Sequence, residues 1–176
     1  MALRVFTVGH SNRSLEDLIA LLSAHGVGHI ADVRRRPASR RHPQFERRAL
    51  AAGLGAAGIG YTWIEALGGL RDAVPRSPNA ALGALAGYAD HMRTAAFAEG
   101  IATLAALAET TATAVMCAEA DPADCHRSLL ADWLVSHGWE VLHVRTPDEA
   151  PRHAVSPRAR LAGDTLVYDR GQRSLF

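Results

Sequence analysis

Both cysteines of the 176-residue chain fall in CAEADPADCHRSLLADW, at Cys117 and Cys125, and His126 and Arg127 follow the second directly. A thiol becomes a nucleophile when a neighbouring cation or a helix N-terminus lowers its pKa. A guanidinium can hold a phosphate or carboxylate through two parallel hydrogen bonds. Pro122 and Asp124 predict a helix start, which sets Cys125, His126 and Arg127 in or near its first turn. Free backbone N–H groups and the helix dipole favour an anion there. Cys125 is therefore expected to be the more reactive thiol. Cys117 ends an apolar run, where the ordinary reading is a small core residue.

Other polar residues cluster after short apolar runs. RVFTVGHSNR carries His10, Ser11 and Arg13, HIADVR carries Asp32 and Arg34, and VMCAE carries Glu119. His10, Asp32 and Glu119 are candidate acid–base groups, with Cys125 the candidate nucleophile. Ser11, Arg13, Arg34, Arg40, Arg41, His126 and Arg127 are candidate phosphate ligands. Seven arginines against one acid, Glu46, lie between Arg34 and Arg48, a local patch able to bind phosphate although net charge is only +1. Each also has a plainer role. Asp32 could pair with Arg34, His10 could bond locally, and the arginine loop could simply be solvated.

Several chemistries are disfavoured. Cys117, Cys125, His126 and His10 or Glu119 would make a zinc set, but the cysteine spacing is not that of a chelate loop, and no metal is expected. A phosphatase-type loop needs cysteine and arginine enclosing five residues. Cys117 is too far from Arg127, and Cys125 is too close. A glycine-rich nucleotide fingerprint is missing, and no cofactor is indicated.

The elements that must position these groups alternate. RVFTVG, HIADV, IGYTWI, TATAVMC and EVLHV read as strands. Ser14 is a helix cap with Glu16 and Asp17 in the first turn, and Thr94 is another cap. QFERRALAAGLGAAG, ALGALAGYADHM, TAAFAEGIATLAALAE and the run ending at SHGW read as helices. EALGGLRDAVPRSPNAAL reads as loop, and DTLVYD as a last strand before a short tail. This pattern predicts a three-layer α/β fold, a mostly parallel sheet with helices on both faces. Residues 1–146 are expected to form the domain and 147–176 an extension. Ligands of such sheets bind beyond the carboxyl ends of the strands, so His10, Asp32, Arg34, Glu119 and Arg127 are expected to converge there.

Hydrophobic residues make up 48% and charged residues 21%, an ordinary globular balance. No apolar stretch is long enough to span a membrane, and MALRVFTVGH lacks the core of a signal peptide. A cytoplasmic protein with reduced thiols is expected.

TVGHSNRSLEDLIALLSAHGVGHIADVRRRPASRRHPQFERRAL, GIGYTWIEALGGLR and VMCAEADPADCHRSLLADWLVSHGWEVLHV resemble domain-of-unknown-function family 488, from about Arg4 to Val144. The family signature carries over to Gly9, His10, Ser11, Arg13, Asp32, Arg34, Pro43, Phe45, Gly68, Gly69, Cys117, Glu119, Cys125, His126 and Arg127. Family members are sometimes labelled as DNA-repair proteins. The expected function is an enzyme acting on a nucleotide or nucleic acid by hydrolysis or group transfer. A non-catalytic nucleic-acid binding module and a redox-sensing thiol pair are the alternatives. In the tail GQRSLF, Gln172, Leu175 and Phe176 resemble the pentapeptide that docks on the bacterial DNA polymerase sliding clamp, with Arg173 departing from the pattern.

Overall fold

In the computed structural model, described over residues 2–169, five parallel strands form the central sheet: β1 (Arg4–Gly9), β2 (His29–Asp32), β3 (Gly60–Trp63), β4 (Thr113–Cys117) and β5 (Glu140–His143). Their spatial order is β3-β2-β4-β1-β5. β1 and β4 are in register from Val5↔Thr113 to Gly9↔Cys117. Helices cover both faces, so the interior strands read as nearly continuous apolar runs.

Helices α1 (Leu15–Ala24) and α2 (Arg47–Ala56) cover one face. Their Leu18, Leu22, Leu50 and Leu54 pack on Phe6, Val8, Ile30, Ala114 and Met116. Helices α3 (Ala86–His91), α4 (Ala95–Thr110) and α5 (Arg127–Ser136) cover the other. There Tyr88, Phe97, Leu104, Leu130 and Leu134 meet Val5, Ala31, Val115, Cys117 and Val141. The strand residues alternate between the two clusters, as a period of two requires. The expected caps form: Ser14 accepts from Asp17 N at 3.0 Å, and Thr94 from Phe97 N at 3.2 Å.

Four details differ from the sequence reading. The run ALGALAGYADHM is not one helix: Ala80–Leu85 is a 3-10 stretch kinked at Gly83 (φ 57°), and α3 follows it. Pro43–Phe45 is a separate 3-10 turn, and Glu46 then caps α2 by accepting from Arg48 N and Ala49 N. Pro122–Asp124 is likewise only a 3-10 turn, and Cys125 after it is extended (φ −141°, ψ 153°), so α5 starts at Arg127. The strand read in DTLVYD, β7 (Thr165–Val167), pairs antiparallel with β6 (Arg160–Ala162) in its own two-stranded sheet.

The segment after β5 is fastened to the domain by a buried polar chain. Thr7 Oγ1 meets His143 Nδ1 at 2.7 Å, His143 Nε2 meets His153 Nδ1 at 2.8 Å, and His153 Nε2 meets Asp132 Oδ1 at 2.7 Å. Tyr168 donates its hydroxyl to Asp132 Oδ2 at 2.9 Å. Gln172, Leu175 and Phe176 lie outside the described residues. Among the described residues no helix is long and apolar enough to cross a membrane.

The topology fixes where a ligand can enter. β2 and β4 are neighbours, but the chain leaves β2 for the edge strand β3 and leaves β4 for the opposite edge strand β5. Such a switch point opens a crevice beyond the carboxyl ends of the two strands.

Candidate active site

A cleft of about 380 Å³ occupies this crevice. Its walls include Arg34, Arg35 and Arg36 after β2, Cys117 and Glu119 at the end of β4, and His10 after β1. Cys125 and His126, just before α5, complete it. A second lobe shares His10, Ala38, Ser39, Ala118 and Glu119 with the first, and adds Ser11, Asn12, Arg40, Arg41 and Asp121.

The two thiols are free, with sulfurs 2.9 Å apart. That is shorter than an ordinary S–H···S hydrogen bond and well beyond the roughly 2.05 Å of a disulfide, so the two sulfurs are in direct contact without a bond. Arg127 N–H points at Cys125 Sγ at 3.5 Å, so sulfur serves as an acceptor at the N-terminus of a helix whose cap, His126, makes no side-chain cap bond. His126 Nδ1 stands 3.4 Å from the same sulfur, and its Nε2 lies 3.1 Å from Val33 O. A carbonyl can only accept, so Nε2 carries a proton. Nδ1 then either accepts the thiol proton or, in the imidazolium, donates to the thiolate. The hydrogen bond from Cys117 pushes the Cys125 pKa down against the opposing effect of burial, helped by His126 and the Arg127 amide. The same hydrogen bond and burial push Cys117 up. The two opposite directions favour Cys125 as the sulfur that carries a negative charge on the pair.

Gly69 allows the His126 ring its place, since a Cβ there would lie 2.6 Å from Nδ1. Gly9 allows the β1 and β4 loops to cross, since its Cβ would lie 1.7 Å from Glu119 O. His10 N and Ser11 N donate to Cys117 O and Ala118 O across that crossing.

His10 is 4% exposed and stacks on Phe45 at 4.2 Å between centroids. Its Nδ1 lies 2.9 Å from Ser11 O, so Nδ1 carries the proton, and Nε2 is left as an acceptor 3.5 Å from Arg34 Nη1. Burial lowers its pKa to about 4, with the Arg34 charge adding to the effect against the Ser11 hydrogen bond. His10 is neutral near pH 7.

Asp32 is fully buried and committed to Arg34. It accepts from Arg34 Nε at 2.9 Å and Nη2 at 2.6 Å, from Arg34 N at 3.1 Å, and from Tyr61 OH at 2.6 Å. Arg34 Nη1 donates to Phe45 O at 2.8 Å. Burial, then the Asp32 carboxylate, raises the Tyr61 pKa, so the phenol stays a donor. Asp32 thus sits behind the wall that Arg34 forms, where it fixes a cation and has no free lone pair directed at the cleft.

Of the five residues expected to converge, His10, Arg34 and Glu119 line the cleft, beside Cys125 and His126, and Arg127 and Asp32 do not. Arg127 is 1% exposed and lies beneath the 118–126 loop, where Nη2 donates to Ala120 O at 3.1 Å. Its Nε and Nη1 are buried with no partner among the described residues. Its charge acts on the Cys117 thiol, lowering that pKa in part. Arg13 spends a guanidinium nitrogen on Gly9 O, and Gln44 donates to its carbonyl at 3.0 Å. Ser11, with φ 50°, and the exposed Arg40 and Arg41 line the second lobe.

Sequence reasoning missed Tyr61, Tyr88 and Leu70. Tyr61 is brought beside Asp32 by the β2–β3 register, and Tyr88 packs on His126 with centroids 4.8 Å apart. Leu70 combines φ 55° with 87% exposure at the cleft. Gly68-Gly69 before it was the available signal.

No curated protein and no solved structure matched the chain in the searches made with it. The family model of the domain of unknown function DUF488 matches residues 14–134, a span holding β2, β3, β4, most of α5, both thiols and the arginine loop. Most of the chain is covered by that match, and the chain belongs to the DUF488 family.

Proposed function

We propose that the chain is a thiol-dependent enzyme acting on a phosphate-bearing substrate, a nucleotide or a nucleic acid. One observation carries the reading: the Cys125 sulfur lies in an arginine-walled cleft with a thiol, an imidazole and a backbone amide directed at it. Such a sulfur is a thiolate near neutral pH, and Cys125, although only 6% exposed, reaches a ligand through the cleft wall it forms. Cys125 is the nucleophile, and His126 returns or removes its proton along the 3.4 Å contact. Glu119, exposed at the junction of the two lobes, is the acid–base group facing the substrate. His10 offers a neutral acceptor, and Arg34, held by Asp32, a fixed positive charge for developing negative charge.

A panel of nucleoside mono-, di- and triphosphates and short DNA and RNA strands, followed by mass spectrometry, tests this. We expect turnover of one class by the wild type and a loss of at least about 100-fold in Cys125→Ser, the scale of removing a key catalytic group. Turnover untouched by that change, or binding without turnover, would refute the reading.

The 2.9 Å sulfur separation favours a second reading, a redox-sensing pair. Reversible loss of both thiols on mild peroxide treatment, with no turnover of any nucleotide, would select it. A link to DNA replication or repair is a further proposal and rests on Gln172, Leu175 and Phe176. Titration of a purified sliding clamp with the full chain and with a chain truncated after Gly171 tests it. Equal binding by both, or by neither, would refute it.

A further inference from the structure

The two lobes of the cleft differ in chemistry, and the difference bears on what faces the sulfur. The inner lobe, about 380 Å³, is within the roughly 300–1,000 Å³ of small-molecule sites. Beside Cys125 it is walled by Ala38, Leu70, Ala84 and Leu85. Its guanidinium groups nearest the sheet are already engaged. Arg34 is paired with Asp32 and bonded to Phe45 O, and Arg35 Nε is paired with Glu65 at 3.1 Å. The one backbone N–H directed at the sulfur is used by the sulfur itself. A phosphate placed here would meet a thiolate of the same sign, with only the exposed Arg36, in no ion pair among the described residues, left to compensate it.

The outer lobe, about 740 Å³, has the opposite character. Arg40 and Arg41 are exposed and make no ion pair among the described residues. Ser11, Asn12 and Ser39 add small polar groups. Two acids also line it, the shared Glu119 and Asp121, the latter accepting from Ala123 N at 2.9 Å.

We infer that the outer lobe is a phosphate subsite and the inner lobe a subsite for a flat, uncharged ring, so that Cys125 faces the base of a nucleotide and not its phosphate. The inference rests on the proposed phosphate-bearing substrate and adds to it which end of that substrate reaches the sulfur. His10 and Glu119 line both lobes and stand at the junction, where the sugar would pass. Leu70, apolar and 87% exposed with a strained backbone, is placed to cover one face of the ring.

The test is protection of Cys125 from iodoacetamide, read by peptide mass spectrometry on the full chain. The probes are inorganic phosphate, uridine, UMP and a short oligouridylate, with adenosine and AMP in parallel. We expect a nucleotide to protect, its nucleoside to protect only at higher concentration, and phosphate alone to leave Cys125 reactive. In Arg40→Ala/Arg41→Ala the half-protecting nucleotide concentration should rise about tenfold or more toward that of the nucleoside, and its salt dependence should flatten. Whichever of UMP and oligouridylate acts at the lower concentration identifies a free nucleotide or a base in a strand, and either outcome supports the division. Phosphate protecting as well as the nucleotide, or a double variant indistinguishable from wild type, overturns the division and leaves the phosphate-bearing substrate standing. Protection by no probe overturns both.

Discussion

Replacing Asp32 by Asn should unfold the site from behind. The carboxylate is fully buried, and four of its five hydrogen bonds come from Arg34, whose side chain is only 7% exposed. Asn keeps the shape and one acceptor, but turns the second oxygen into an amide donor facing Arg34 Nη2 or Tyr61 OH. Two charge-assisted hydrogen bonds are lost, and a buried guanidinium is left without its counter-charge. Breaking a buried pair from one side costs about 3–5 kcal/mol, a large fraction of the roughly 5–15 kcal/mol available to a domain. Urea unfolding of wild type and D32N measures the loss, with an unchanged m-value as the check that the denatured state is the same. Arg34→Met should cost a similar amount, and the double variant should recover much of it, because an apolar replacement leaves neither charge unpaired. A D32N loss below about 1 kcal/mol, or strictly additive single effects, would refute the positioning role and return Asp32 to the acid–base candidates.

Cys117→Ala removes the donor to the Cys125 thiolate. A hydrogen bond to a charged acceptor is worth about 1.5–3 kcal/mol, so the Cys125 alkylation midpoint should rise by about one to two pH units. His143 is held neutral by burial, with His153 and Arg127 adding to the effect, and its pKa falls to about 4. Between that value and the unfolded value of about 6.5 only the unfolded chain binds the proton, so stability falls as pH drops through the window. His143→Gln should flatten that slope by up to about 1.4 kcal/mol per pH unit near pH 5, read from urea titrations at several pH values. Gly9→Ala drives a Cβ into the Glu119 carbonyl, so thermal unfolding should show a loss of about 1–3 kcal/mol, with the Cys125 midpoint raised as the 117–125 loop shifts.

The parts of this site legible in the sequence depend on local periodicity. The apolar runs ending at Gly9, Asp32 and Cys117 place His10, Arg34 and Glu119 at one edge because parallel strands share a direction. The caps at Ser14 and Thr94 are local as well. Arg127 was misplaced because each step along a helix turns the side chain by about 100°. Adjacency to His126 put the two residues together in sequence, while helical phase sends Arg127 under the loop and His126 into the cleft. The sulfur separation depends on the path of the intervening loop, which no spacing rule supplies. Tyr61 and Phe45 reach Asp32 and Arg34 through strand register and a 3-10 turn, both set by tertiary packing. The segment with β6 and β7 shows ordinary strand propensity, and its sequence does not say that it forms a hairpin of its own.

The central claim is that Cys125 is a thiolate accessible from the cleft. The rate of its alkylation by iodoacetamide against pH, followed peptide by peptide in the native protein, tests this most directly. The structure predicts a midpoint for Cys125 well below the roughly 8.5 of a free thiol, with Cys117 unmodified over the same range. A Cys125 midpoint at or above that value, or equal modification of both cysteines, would contradict it.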